Sequence, residues 1–236
     1  MFVRDMFTVE RRKAFLYIWS FKGVKAINQD AFAYRIDEDK LILSLADGLG
    51  SKKSSKEGAI KATEFFLEFA DNCFDATALY RVQKQWFKAL QHAWPADYDT
   101  TLMGLLVSSK LYFSSIGDGM MVLRTHENHI EFSKSYEFLN ETESLTSISQ
   151  DNKGQHWVHP VPKKSFLIVL MTDGIVNVFD VEKIPSFVSK LFDRLESNQH
   201  QALVENLGQW LAGLNKKGFS DDKTLTLLYV RGIENA

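Results

Sequence analysis

Segments with strand-like and helix-like patterns occur in blocks along the chain rather than in alternation. Two predicted strands, Asp30–Ile36 and Lys40–Ala46, precede two amphipathic helices, and three short strands follow. A continuous apolar run, Phe166–Thr172, has the length of a central strand, and two further helices precede a last strand at Thr224–Val230. This order favours an α+β fold with antiparallel sheets covered by helices.

Composition and charge favour a single domain and give no sign of a nucleic-acid or membrane partner. No Pro/Gly/Ser-rich linker or internal repeat divides the chain, so we expect a single domain over residues 1–236. The formal net charge is −2, which gives no reason to expect nucleic acid as a partner. The chain start is charged, and no apolar run approaches the roughly 20 residues that span a bilayer. With one cysteine, Cys73, which we expect to be structural, the protein is predicted to be cytoplasmic, with no membrane partner.

Acidic residues stand at the ends of the predicted strands: Asp30, Asp47, Asp118, Asp173 and Asp221. One acid in a turn is unremarkable, but several could meet at one sheet edge, where divalent cations would offset their repulsion. The sequence has no Cys pair and no His-Glu-x-x-His pattern, so zinc is disfavoured. Oxygen donors alone favour Mg²⁺ or Mn²⁺.

Six short motifs follow one another along the chain: Asn28-Gln29-Asp30-Ala31, Ala46-Asp47-Gly48-Leu49-Gly50, Thr100-Thr101-Leu102, Ile116-Gly117-Asp118-Gly119, Met171-Thr172-Asp173-Gly174 and Asp221-Asp222-Lys223-Thr224-Leu225. Their order resembles that of the PP2C-type (PPM) metal-dependent serine/threonine phosphatases, most closely the small bacterial forms. The resemblance runs from about Gly23 to Val230. It implies an αββα sandwich, with two antiparallel sheets flanked by helices and a two-metal centre at one end of the sheets.

The resemblance also implies roles for single residues. Asp47 matches the aspartate that bridges the two metal ions, and Gly48 matches the residue whose backbone carbonyl is a ligand. Asp30 matches the acid that holds a network of metal-bound water. Asp173 and Asp221 match the remaining ligands of the metal pair. The implied cofactors are two Mg²⁺ or Mn²⁺ ions.

Asp118 matches the acid that, with the equivalent of Asp173, holds a third metal ion in bacterial members. Three features depart from the family pattern. One is a change beside two ligand positions: the usual Gly-Asp-Ser is Gly117-Asp118-Gly119 here and the usual Asp-Asn is Asp221-Asp222, and both keep the ligand-bearing aspartate. The other two concern the phosphate contact and the proton donor. Lys25 stands where the family usually has an arginine that grips the substrate phosphate, and lysine offers a point charge instead of a bidentate contact. The stretch Leu49–Lys52 lacks the histidine that animal members carry as the general acid, which leaves the proton donor unassigned.

The activity implied by the resemblance is hydrolysis of phosphoserine and phosphothreonine in proteins by water activated between two metal ions. The substrates would be targets of a serine/threonine kinase. The alternative is a non-catalytic PP2C-fold module that binds a phosphoprotein or a regulator, motivated by Lys25 and the absent histidine. A metal-dependent nuclease fits the acids but lacks a basic groove for its substrate.

Other residues are expected to have ordinary structural roles. Three tryptophans lie on apolar helix stripes and are predicted to be core residues: Trp86, Trp94 and Trp210. Lys52, Lys53 and Lys56 are more typical of a solvated face than of a cluster that steers a phosphopeptide. Asp222 is more typical of a turn residue than of a spare metal ligand. The polar stretch Glu137–His156 is predicted to be a surface loop or flap that selects substrates.

Overall fold

The computed structural model describes residues 1–70, 75–91, 93–133 and 142–232 of the chain. The prediction for Cys73 lies outside these residues. The chain divides into a first unit, composed of Met1–Asn28, Met120–Lys134 and Pro162–Ala236, and a second unit, composed of Gln29–Gly119 and Ser135–Val161. The prediction of a single domain over residues 1–236 stays a prediction. No helix within the described ranges has the length and apolar character needed to cross a membrane.

The first unit contains a six-stranded antiparallel sheet and three helices. With elements numbered in chain order, they are β1 (Phe2–Val9), β2 (Arg12–Phe21), β7 (Met120–Thr125), β8 (Ile130–Phe132), β10 (Phe166–Met171), β11 (Lys223–Val230), α3 (Asp173–Val176), α4 (Ile184–Glu196) and α5 (His200–Gly213). The strand order is β1-β2-β11-β10-β7-β8. The sequence analysis predicted no strand before Asp30, so the β1–β2 hairpin is a finding of the structure. Strand β2 pairs with β11 from Phe21 opposite Lys223 to Ala14 opposite Val230.

The core of the first unit lies between its sheet and helices α4 and α5. Strand β10 is fully buried on both faces, as its continuous apolar run predicts. Leu167 and Val169 belong to the same apolar cluster as Val188 of α4 and Leu203 of α5. Each buried side chain of this kind contributes about 1.5–3 kcal/mol relative to an exposed one, so this cluster fixes the strand whose end carries Asp173.

The second unit contains a five-stranded antiparallel sheet and two helices. They are β3 (Asp30–Asp37), β4 (Lys40–Asp47), β5 (Leu102–Val107), β6 (Lys110–Ile116), β9 (Gln155–Pro160), α1 (Ser55–Ala70) and α2 (Ala78–Ala89). The strand order is β3-β4-β5-β6-β9. Every strand that the sequence predicts is found within one residue of its expected bounds. The α+β class, with antiparallel sheets and flanking helices, is therefore confirmed.

The tryptophan predictions have different outcomes. Trp86 is fully buried, and its indole N–H donates to the Gly58 carbonyl at 2.9 Å, which ties α2 to α1. Trp210 packs partly buried against the core of the first unit. The prediction was wrong for Trp94, which is 72% exposed. Helix α2 ends at Ala89, and Gln91 has a positive φ of 53°, so the chain leaves the helix before it reaches Trp94.

The described part of the stretch Glu137–His156 is packed rather than loose. Leu145 lies in a 3-10 turn, Leu145–Ser147, and is fully buried, and Ile148 is 5% exposed. Gln83 of α2 donates to the backbone carbonyls of both residues, at 2.6 and 3.0 Å. The last two residues of the stretch begin β9, which pairs with β6. Residues 142–154 thus form a surface loop, as predicted, that is anchored by two buried apolar side chains. Selection of substrates by this stretch stays a prediction, and residues 137–141 lie outside the described ranges.

Candidate metal centre

Two acids of the predicted site face each other across a hairpin of the second unit. Strand β3 begins at Asp30 and β4 ends at Asp47, and the register places these residues directly opposite. Directly opposite side chains share one face of a sheet, with Cβ atoms about 4.5–5.5 Å apart. Asp30 is 2% exposed, and its backbone carbonyl accepts a hydrogen bond of 2.5 Å from the Lys56 ammonium. The structure therefore brings together two predicted site carboxylates.

The turn that follows β4 is fixed by the two threonines that precede β5. The Asp47 carbonyl accepts hydrogen bonds from the Thr100 hydroxyl at 2.8 Å and from the Thr101 N–H at 2.9 Å. The Asp47 N–H donates to the Thr101 hydroxyl at 3.0 Å. Gly48 lies so close to α1 that an added Cβ would be 2.7 Å from the Ser55 carbonyl oxygen. The buried threonines and the glycine thus determine where the Asp47 side chain and the Gly48 carbonyl are held.

Asp118 belongs to the same unit and lies in the turn after β6. Gly117, which precedes it, has a φ of 112°, a conformation that a residue with a side chain rarely adopts. A carboxylate oxygen of Asp118 accepts a hydrogen bond of 2.9 Å from the Thr142 hydroxyl. Asp118 is therefore held by the segment that follows the undescribed residues 134–141.

The remaining acids belong to the first unit, where they lie next to one another. Asp173 follows β10 and starts α3, and Asp221 precedes β11, the neighbour of β10 in the sheet. A Cβ on Gly174 would be 1.9 Å from the Asp222 carbonyl oxygen and 3.4 Å from the Asp221 Cβ. The Asp173-Gly174 turn therefore contacts the Asp221-Asp222 loop at a distance that only glycine permits.

Lys25 pairs with Asp221 instead of pointing away from the acids. Its ammonium lies 3.2 Å from a carboxylate oxygen of Asp221, and the two side chains are 37% and 41% exposed. The same loop is tied down by Asp222, which is 1% exposed and accepts the Gly23 N–H at 2.7 Å. The residue that stands at the position of the phosphate-gripping arginine thus contacts a predicted metal ligand.

Together these contacts show how far the site is assembled within each unit. Asp30 lies beside Asp47 in one, and the Asp173 turn contacts the Asp221 loop in the other. Within the described ranges, no group of three or more His, Cys, Asp or Glu side chains is close enough to hold a metal ion. The donors nevertheless fit Mg²⁺ or Mn²⁺ chemically, because they are carboxylate and carbonyl oxygens. The ligand roles of Asp30, Asp47, Gly48, Asp118, Asp173 and Asp221 remain predictions.

Three residues next to these acids make contacts that the sequence did not predict. Asp99 is 5% exposed and accepts four hydrogen bonds. Asp222 is a buried acceptor rather than an ordinary turn residue. Lys56, predicted to belong to a solvated face, contacts the Asp30 carbonyl. Only the position of Asp99 immediately before Thr100-Thr101 hinted at its role.

Two antiparallel sheets with flanking helices, and acids where the strands begin and end, define an α+β protein of the PP2C-like class. Residues 22–212 match the family model described as Protein phosphatase 2C. The match spans most of the chain, so the chain belongs to the protein phosphatase 2C family. No curated protein sequence is detectably similar to it.

Solved structures share the fold over nearly the whole chain. RsbX in complex with magnesium is 17% identical, with a TM-score of 0.68 over 98% of this chain and 100% of RsbX. The catalytic domain of the serine threonine protein phosphatase PstP, in complex with two manganese ions, is 17% identical, with a TM-score of 0.68 over 92% and 98%. PppA from Pseudomonas aeruginosa is 15% identical, with a TM-score of 0.65 over 96% and 100%. At these identities the likeness establishes the fold alone.

Proposed function

We propose that this protein is a metal-dependent phosphatase that hydrolyses phosphoserine and phosphothreonine in other proteins. The observation that carries the proposal is the Asp30–Asp47 pair. These residues are the first and last of the β3–β4 hairpin, in a chain of the protein phosphatase 2C family. Two carboxylates on one sheet face repel each other unless a cation lies near them. The structures of RsbX in complex with magnesium and of PstP in complex with two manganese ions support Mg²⁺ or Mn²⁺ as that cation.

The proposed site residues have separate roles in binding metal and in holding water. In the second unit, Asp47 and the Gly48 carbonyl would be metal ligands. In the first unit, Asp173 and Asp221 would be metal ligands. Asp30 would hold the water that is bound to the metal ions by accepting a hydrogen bond from it. When bound, a pair of divalent ions lowers the pKa of a water and neutralises phosphoryl charge. No side chain needs to bond covalently to phosphorus.

Lys25 is proposed to contact the substrate phosphate from its place beside Asp221. The lysine ammonium has no rigid pair of parallel N–H donors. It can therefore shift from a carboxylate oxygen to a phosphate oxygen without needing a particular orientation. The 3.2 Å contact with Asp221 holds the charge near the metal ligand before substrate arrives. The proposed substrates are phosphoproteins produced by a serine/threonine kinase, and Asp118 is proposed to hold a third ion.

The test is hydrolysis of p-nitrophenyl phosphate and of a phosphoserine peptide, each with Mn²⁺, with Mg²⁺ and with EDTA. We expect turnover with either metal and none in EDTA. Asp173→Asn should remove the activity, while the matched change Asp39→Asn, in the exposed turn at the opposite end of the β3–β4 hairpin, should retain it. Folded protein that turns over neither substrate would contradict the proposal.

One observation favours a second candidate, a non-catalytic module that binds a phosphoprotein or regulator. Lys25 is already paired with a carboxylate, so its charge is partly neutralised before any phosphate binds. A module of this kind would bind the phosphopeptide with the same affinity in EDTA as in Mn²⁺, without hydrolysing it. Equilibrium binding of the peptide in both buffers separates the two candidates.

A further inference from the structure

The carboxylate of Asp99 is buried among hydrogen-bond donors from two segments of the second unit. One oxygen accepts the Thr100 N–H at 3.0 Å and the Thr146 N–H at 3.3 Å. The other accepts the hydroxyls of Ser144 and Thr146, each at 2.6 Å. A buried carboxylate is costly unless donors surround it, and here four donors do. Asp99 is thus bonded to its own segment and to residues 45–47 positions further along the chain.

The backbone around Asp99 reaches the Asp47 turn. The Asp99 carbonyl accepts the Leu49 N–H at 3.0 Å, on the far side of Gly48. Thr100, the next residue, donates its hydroxyl to the Asp47 carbonyl and accepts the Leu145 N–H at 2.9 Å. Asp99 and Thr100 therefore contact the chain on both sides of Gly48 and also contact the segment 142–148.

The segment 142–148 reaches a second predicted metal ligand. Its first residue, Thr142, donates to Asp118, and its buried side chain Leu145 fixes it to the core. A continuous chain of contacts therefore runs from Asp47 through Thr100 and Asp99 to the segment and on to Asp118.

We propose that Asp99 is a positioning residue that fixes the Asp47-Gly48 turn and the segment 142–148 to one another, and so sets the spacing of the ligands that the second unit supplies. The part of this inference that concerns metal rests on the proposed function. The part that concerns the two segments does not. Residues that orient metal ligands without touching the metal typically change its affinity about 10–100-fold when replaced.

The first experiment is hydrogen–deuterium exchange on the metal-free protein, read on peptides that cover residues 45–52 and 142–148. Asp99→Asn should speed exchange in both peptides at least about tenfold. The substitution replaces one carboxylate oxygen with an amide NH₂ group, so the two buried donors that bonded to that oxygen lose their acceptor. Exchange across residues 2–21 of the first unit should not change. The matched control is Asp75→Asn, an exposed acid of the same unit that accepts the Thr77 N–H and hydroxyl at 2.7 Å each. Faster exchange in one peptide only would overturn the proposal.

A second variant keeps the test decisive if Asp99→Asn does not fold. Ser144→Ala combined with Thr146→Val removes the two hydroxyl donors and leaves Asp99 and Thr100 in place. If the two segments are fixed to one another, exchange should rise in residues 45–52 as well as in 142–148. A rise confined to 142–148 would overturn the proposal.

The second experiment measures binding of Mn²⁺ alone, by the electron paramagnetic resonance signal of the free ion. Asp99→Asn should weaken binding about 10–100-fold at a temperature where the variant is fully folded, and Asp75→Asn should not weaken it. Unchanged affinity in a folded Asp99→Asn variant would overturn the metal part. If the unaltered protein binds no Mn²⁺, the proposed function fails, while the exchange result still decides whether Asp99 joins the two segments.

Discussion

The two units hold their acids in different ways. In the second unit, the backbone of Asp47 is fixed by buried threonine hydroxyls and amides. In the first unit, the side chain of Asp221 is paired with the half-exposed ammonium of Lys25. A buried hydrogen-bonding group that loses its partner costs about 1–3 kcal/mol, whereas an exposed ion pair is worth about 0–1 kcal/mol. The position of Asp47 therefore depends on buried hydrogen bonds, and that of Asp221 depends on an ion pair that salt screens.

The largest effect expected from the comparison is loss of activity when one acid of either unit is neutralised. Asp47→Asn and Asp173→Asn should each lower kcat for p-nitrophenyl phosphate by at least about a hundredfold. Replacing a residue that only orients a metal ligand lowers activity by up to about a hundredfold, and these two residues are proposed to be ligands themselves. Asp39→Asn is the control, because its side chain lies in an exposed turn. Full activity of either variant would remove that residue from the proposed ligand set.

A smaller effect should separate the neighbours Asp221 and Asp222. Asp222→Ala leaves the buried Gly23 N–H without its acceptor and should lower the free energy of unfolding by about 1–3 kcal/mol. Asp221→Ala, at a side chain that is 41% exposed, should change stability less and activity more. Urea denaturation and p-nitrophenyl phosphate hydrolysis measure the two quantities. Equal stability losses would contradict the division of roles between them.

Substitutions of Lys25, the cation that is paired with Asp221, should have an effect of intermediate size on activity. Lys25→Ala should raise KM for p-nitrophenyl phosphate about tenfold, the value of one hydrogen bond to a charged group, with a smaller change in kcat. Lys25→Arg should lower KM, because a guanidinium contacts phosphate through two donors. A KM that is the same in all three proteins would show that this cation does not contact substrate.

The smallest effect concerns pH, and each unit provides one histidine to test it. Burial lowers the pKa of His156, whose ring nitrogen lies 3.0 Å from the Ser114 hydroxyl, and a weaker attraction from Asp75 opposes the shift. Burial also lowers the pKa of His200, 2.6 Å from the Tyr17 hydroxyl, and here Arg4 and Arg231 act in the same direction. Both histidines therefore bind a proton less readily in the folded protein than in the unfolded chain.

The sign follows from proton binding. Below the ordinary histidine pKa of about 6.5 the unfolded chain binds protons that the folded chain does not, so the free energy of unfolding falls as pH falls. Urea denaturation between about pH 7.5 and pH 5.5 should show this slope in the natural sequence. His200→Gln should flatten it more than His156→Gln, because no acid opposes the shift at His200. An unchanged slope in both variants would contradict the assignment.

Local patterns were sufficient to predict most of the elements. The apolar run of β10, and the polar turn Asp37-Glu38-Asp39 between two largely apolar segments, are enough to mark β10, β3 and β4 as strands. The β1–β2 hairpin was missed because β1 is an edge strand whose alternate side chains, such as Phe2 and Met6, are exposed apolar groups. Such a segment has no clean alternation of apolar and polar residues to mark it. Trp94 was misplaced because the end of α2 depends on the backbone conformation at Gln91.

The acids themselves could be predicted, but the contacts that hold them could not. Aspartates at strand ends are visible as residue types, and pairing β3 with β4 brings Asp30 and Asp47 together automatically. The bonds from Ser144 and Thr146 to Asp99 join residues 45 and 47 positions apart. No periodicity links positions so distant. The same holds for Asp222, whose acceptor role requires Gly23, 199 positions earlier.

The pairing of β2 with β11 has a consequence for how the protein can be shortened. The family match begins at residue 22, yet β2 ends at Phe21 and pairs with β11 along all eight of its residues. An expressed fragment trimmed to residues 22–212 would lose both β2 and β11 and leave β10, the sheet neighbour of β11, as an exposed edge that can pair with other chains and aggregate. The stretch of sequence that identifies the family is therefore shorter than the stretch that must be kept for the first unit to remain intact.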